Sequence, residues 1–195
     1  MPRRSSAAEP RVHRASAVAL GALAALPALG HALEVKAIDA RVTDQRFHVQ
    51  FEGVIDAPVE RVVEVLTDYA GYAALDPRIR ESRVIGTGAA GEVLLRTRIR
   101  ACAGLFCRTV LRTEQVTRAD DRLVAEVVAS GGNVKQGITR TQWRGDGQAT
   151  RLWYQADFQP AFWVPEVVAR RYAAGSLRDS VVKLFANVEE RARGR

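Results

Sequence analysis

The sequence predicts an α+β fold: an antiparallel sheet of about six or seven strands followed by one long C-terminal helix, with one or two short helices after the first strand. Three observations carry this. Apolar and polar residues alternate at period two from Phe47 to Glu52, Asp56-Ala57-Pro58 then breaks the pattern ahead of a stretch with helical periodicity, and no proline follows Pro165.

Glu34 to Ile55 reads as one long strand or as a hairpin turning at Thr43-Asp44-Gln45-Arg46, with Phe47, Val49 and Phe51 on one face and His48, Gln50 and Glu52 on the other. Pro58 suits a first helical turn because it lacks the N–H that would go unpaired there, and Asp56 is placed to cap the free donors beside it. Val59, Val62, Val63, Val65 and Leu66 give this helix a buried stripe, and it ends near Asp68-Tyr69. A second short helical or irregular piece runs from Tyr72 to Ile79, bounded by Gly71 and Pro77.

A meander follows: Ser82–Thr87, Glu92–Ala101, Cys107–Thr117, Arg122–Ser130, Ile138–Arg144 and Thr150–Gln159 are strand-like, separated by turns rich in Gly, Asp and Asn. Such short connections make consecutive strands antiparallel neighbours. The last helix is expected from Val164 to about Arg193, burying Val168, Tyr172, Leu177, Val181, Leu184, Phe185 and Val188. Gly175 interrupts it at a cost of about 1 kcal/mol relative to alanine unless close packing uses it, so it is expected to touch either a ligand or the sheet.

At the strand leading to Val54-Ile55-Asp56-Ala57-Pro58, at Val62 through Leu66, at Asp68-Tyr69, at Pro77 and along the helix from Pro165, the chain resembles the START-related (SRPBCC) superfamily. That superfamily includes polyketide cyclases, coenzyme Q-binding proteins, birch-pollen-allergen-like proteins and steroidogenic-type lipid-transfer domains. The resemblance implies a helix-grip fold, a curved sheet wrapped around the C-terminal helix, with an apolar cavity between the two. None of the matching residues is a catalytic fingerprint.

The N-terminal segment has the build of an export signal. Arg3, Arg4, Arg11 and Arg14 precede an apolar run from Ala15 to Leu29, and Gly30-His31-Ala32 follows, so cleavage after Ala32 is expected, leaving a single periplasmic domain at 33–195. The run is shorter than the ~20 residues a membrane span needs. The whole chain carries +7 at pH 7, and removing four arginines and Glu9 leaves +4. With lysine only at 36, 135 and 183, the excess of arginine reads as base composition of the genome rather than a phosphate-binding face, and no nucleic-acid partner is expected.

Chemistry is sparse. His48 is the sole histidine after residue 32 and stands opposite the apolar face of its strand, so no Ser-His-Asp or Cys-His set forms around it, and no catalytic residue, metal site or cofactor is assigned. Glu60, Glu64 and Asp68 fall on the solvent side of the first helix, and Asp76 reads as a turn residue. The glycines fall at hairpin turns, not in a Walker or dinucleotide pattern.

Cys102 and Cys107 flank the turn of a hairpin. In an oxidising compartment they are expected to pair, contributing roughly 2 kcal/mol by loop closure, with two buried free thiols as the alternative. Val93, Leu95, Thr97 and Ile99 are odd-numbered, as are Thr109, Leu111 and Thr113, which puts Cys102 within the turn rather than opposite Cys107.

The cavity that the resemblance implies would be walled by Leu152, Tyr154, Ala156 and Phe158 on the final strand, with Thr139, Thr141 and Trp143 beside them. Val168, Tyr172 and Val164 would face them from the helix, and Val65, Tyr69 and Tyr72 from the first helical region. Tyr154, Tyr172 or Arg140 would orient a ligand in a space of ~300 to 1,000 Å³; a filled aromatic core is the alternative. Phe162 and Trp163, beside Arg170 and Arg171, are read as a membrane contact or as a gate folded onto the cavity. The function expected is an exported monomeric carrier of a hydrophobic small molecule or lipid. An enzyme related to polyketide cyclases or aromatases, using the same pocket, is the alternative, and an interaction module is a third class.

Overall fold

The structure is a computed structural model that describes residues 33–128 and 131–194, so the expected leader at 1–32 lies outside the described residues. Eight strands form one sheet: β1 (Glu34–Thr43), β2 (Arg46–Ile55), β3 (Ile79–Thr87), β4 (Val93–Ala103), β5 (Phe106–Ala119), β6 (Arg122–Val127), β7 (Val134–Asp146) and β8 (Ala149–Pro160). Their order across the sheet is β1-β2-β8-β7-β6-β5-β4-β3, and every pairing is antiparallel.

The count exceeds six or seven because 34–55 is two full strands. Asp44 and Gln45 take φ of 50° and 63°, the left-handed pair that makes a two-residue turn match the twist of its flanking strands. Strands β3 and β7 also begin three and four residues earlier than expected, and both early ends lie at register shifts. A strand that changes register there loses the strict alternation that announces it.

The registers place Phe47, Val49, Phe51 and Ile55 beside Phe158, Ala156, Tyr154 and Thr150 on one face. Trp143 and Thr141 join them from β7, and Leu95, Thr97 and Ile99 pair there with Glu114, Arg112 and Val110. All the helices pack on this inner face.

Helix α1 (Val59–Thr67) buries Val62, Val65 and Leu66, as its stripe requires. Its first turn has no side-chain cap; Pro58 holds the cap position. Asp56 does not cap but fastens the C-terminus, its N–H donating to Glu189 at 2.9 Å and its carboxylate accepting from Arg193 at 2.6 Å. A 3-10 turn (Tyr69–Gly71) capped by Asp68 leads into the single turn of α2 (Tyr72–Leu75).

The C-terminal helix consists of α3 (Glu166–Val168), a π-type turn (Ala169–Ala173) and α4 (Ala174–Ala192). The wider turn keeps residues four apart in line, so Ala169, Ala173, Val181, Phe185, Val188 and Ala192 are buried. Val168 and Tyr172, expected on that line, are displaced from it, and Tyr172 is 43% exposed. Phe185 anchors the helix, stacking on Phe51 at 4.9 Å and meeting Tyr154 edge-on at 5.3 Å. Gly175 meets neither ligand space nor sheet: a Cβ there would have nothing within 4 Å. Among the described residues no helix is long and apolar enough to cross a membrane.

Candidate functional site

Between β4, β5 and β8 below and α4 above, side chains do not fill the interior. A cavity of about 250 Å³ remains, slightly smaller than expected. Its floor is Ile99, Ala101 and Ala103 of β4, Phe106, Val110 and Arg112 of β5, and Tyr154, Ala156 and Phe158 of β8; its roof is Ala173, Leu177, Val181 and Leu184. Ala101 and Ala103 of β4 and Ala173 of the π-type turn are among the small residues that line it.

Charged side chains interrupt this apolar lining, and two clusters of them lie within it. At the α2–β3 junction the Arg78 side chain donates to Asp76 at 2.9 and 3.0 Å and also to Ser180 of α4. Burial alone would raise the Asp76 carboxyl, but hydrogen bonds and charge from Arg78, with Lys183 further off, hold it below the usual carboxylate range. On β5 the Arg112 Nε donates to the Thr97 hydroxyl at 3.3 Å and forms an ion pair with the Glu114 carboxylate 2.9 Å away. Burial pushes the Glu114 carboxyl up while Arg112 pulls it down, and burial likewise raises the phenols of Tyr72 and Tyr154, which therefore stay protonated. Among the described residues no group of three His, Cys, Asp or Glu side chains could hold a metal ion.

The mouth has two lips. One is the loop carrying Phe162 and Val164, which line the cavity, while Trp163 between them is 70% exposed. The other is the β4–β5 hairpin, where Gly104 (φ 61°) and a fully exposed Leu105 make the turn. The Tyr172 ring lies over Gly104, and a Cβ there would sit 3.4 Å from it. Cys102 and Cys107 are direct cross-strand partners, not offset as the sequence suggested, and form a disulfide with Cα atoms 4.1 Å apart. The reason is parity: across Gly104-Leu105 the inward positions switch from odd on β4 to even on β5.

The family model for polyketide cyclase / dehydrase and lipid transport matches residues 46–189, from the start of β2 into α4. The chain belongs to this START-related family. Solved structures show the same fold at identities too low to carry function. A START superfamily protein from Mycobacterium smegmatis superposes with a TM-score of 0.61 at 16% identity, covering 75% of this chain and 97% of that one. The Zhui aromatase/cyclase from Streptomyces sp. R1128 gives 0.56 at 22% identity, over 77% and 96%. A STAR-related lipid transfer protein from Xanthomonas axonopodis gives 0.58 at 14%, over 80% and 98%. Among curated proteins none matches.

In this START-related domain the structure divides the residues proposed from sequence. Tyr154, Phe158, Ala156 and Val164 line the cavity. Leu152, Trp143 and Val65 share the inner face but lie in the packed core, in the region where α1 meets β7 and β8. Tyr69 and Tyr72 pack edge to face at 6.0 Å against that core, and the Tyr72 hydroxyl donates to the Leu66 carbonyl at 2.6 Å. Arg140 is exposed on the outer face, and Val168 and Tyr172 lie outside the lining. Of the expected membrane pair, Trp163 is outside and Phe162 turns inward. His48 is on the outer face, 2.6 Å from Asp157. Sequence reasoning missed the whole β4–β5 contribution and the Asp76–Arg78 pair; the β4–β5 register would have found the first.

Proposed function

We propose that this protein is an exported, periplasmic, monomeric carrier that shelters a hydrophobic small molecule or lipid between sheet and C-terminal helix. The observation that carries the reading is the unfilled apolar cavity, roofed by α4 and closed by the 161–165 loop. Burying ~300 Å² of apolar ligand surface at ~25 cal/mol per Å² would yield about 7.5 kcal/mol before association costs, enough to begin a useful affinity. Export rests on the signal-like arrangement of residues 1–32.

Delivery is proposed at a membrane surface. Leu105, Trp163 and Val167 are exposed around the mouth, with Arg100, Arg108 and Arg171 near them, a combination suited to an anionic bilayer. Replacing Leu105 and Trp163 by serine should weaken binding to anionic vesicles and slow transfer; unchanged rates in the folded variant would remove the membrane step.

Mass spectrometry of the organic extract of protein purified from its native envelope tests the carrier reading: a stoichiometric apolar molecule supports it, and none rejects it. The alternative, a polyketide cyclase- or aromatase-like enzyme, is favoured by one observation, the Arg112–Glu114 pair beside Tyr154. Turnover of an added polyketide or quinone, lost in Tyr154→Phe, would select it.

A further inference from the structure

The charge on the cavity wall is uneven. Arg78, Arg100, Arg108 and Arg112 line it, while the only acidic lining residue is Asp76, with Glu114 adjoining. The arginines are not equivalent. Arg78 is fully engaged, its three guanidinium nitrogens bound to Asp76 and Ser180. Arg100 and Arg108 are exposed near the hairpin tip, and Arg108 stacks over Phe106 at 5.0 Å. Arg112 lies deepest, six residues along β5 from Phe106, or about 20 Å at ~3.3 Å per strand residue.

Arg112 meets its neighbours through Nε, which donates to Thr97 and lies 2.9 Å from the Glu114 carboxylate. The four N–H donors of its two terminal nitrogens have no partner among the described residues, yet the side chain is 26% accessible and lines the cavity. A guanidinium held by its inner edge, with the outer fork open, is the geometry that receives two acceptor oxygens side by side. Between it and Arg108 near the mouth lie Ile99, Val110, Phe158, Val134 and Phe162, and the polar side chains on that stretch, Asp76, Arg78 and Ser180, are engaged with one another.

We propose that the cavity selects an amphiphile with a single carboxylate head and a single apolar tail, the head seated on the open fork of Arg112 and the tail running towards Phe162. The inference rests on the carrier reading and narrows its ligand class. A space of about 250 Å³ drawn out from Arg112 to Phe106 holds one chain or a narrow ring system and excludes a two-chain lipid.

Three tail-matched probes test it by isothermal titration on the folded protein: dodecanoate, its neutral methyl ester and dodecyltrimethylammonium. Dodecanoate should bind at least tenfold tighter than the ester, and the ammonium probe most weakly. The preference should fall to within twofold in the Arg112→Gln/Glu114→Gln double variant, which removes both charges together so that neither is left buried alone, and persist in Arg140→Gln on the outer face. Equal affinities for acid and ester overturn the head assignment while the carrier reading stands. Loss of the preference in Arg108→Gln, with retention in the double variant, moves the head to the mouth and also overturns it. If no probe binds to protein freed of any co-purified molecule, the carrier reading itself falls.

Discussion

The side-chain amide of Gln45 holds the backbone of Val164 at both ends, donating from Nε2 to its carbonyl at 3.0 Å and accepting its N–H on Oε1 at 2.7 Å. The tip of the first hairpin thereby pins the loop that closes the cavity 119 residues later. In Gln45→Ala both Val164 groups lose their partner, so stability should drop by about 1–3 kcal/mol and a bound fluorophore should dissociate faster. Gln45 also holds a left-handed φ, which costs an L-residue about 1–2 kcal/mol, so Gln45→Gly should recover roughly 1 kcal/mol of stability relative to alanine without slowing the dissociation. Urea denaturation beside stopped-flow release separates the two effects.

The disulfide closes a short loop, Cys102 and Cys107 being five residues apart. Cys102→Ser/Cys107→Ser should therefore lose only about 2 kcal/mol and remain folded, because the flanking strands stay paired. Unfolding free energies of the wild type with and without reductant should differ by the same amount, and the double variant should not respond to reductant.

Asp76 gives a pH signature. Its folded carboxyl titrates below the ordinary aspartate value, so it binds protons less readily folded than unfolded. Its contribution is fully present above about pH 4 and is lost as pH falls through the lower folded value. Asp76→Asn should flatten the acid limb of the stability curve in that window and leave the slope near neutrality unchanged.

Gly175 lies in α4 with open space where a Cβ would go and an unexceptional backbone. Gly175→Ala should raise stability by about 0.5–1 kcal/mol without altering ligand affinity, measured as a shift in Tm and by titration.

Alternation in Phe47, Val49 and Phe51 was legible because one face of β2 is packed and the other polar, and the strand–break–helix order around Pro58 followed from backbone chemistry alone. Depth was not legible. Leu152 and Tyr154 have the same parity on β8, yet one is sealed in the core and the other borders the cavity; period two fixes which face a residue takes, not which helix covers it along the strand. Strand β5 misled more directly. Its inward positions include Arg108, Arg112 and Glu114 and its outward ones Leu111, so the hydrophobic pattern points the wrong way where the wall of the cavity is charged.

The widened turn at Ala169–Ala173 makes the terminal helix two rods joined end to end. The inner rod carries Phe185 and Val188 into the core, and the outer one reaches the mouth through small or outward-facing side chains. Backbone amides around Ala169–Ala173 should therefore exchange with solvent faster than those beyond Val181, and a guest passing at the joint would not require the domain to melt.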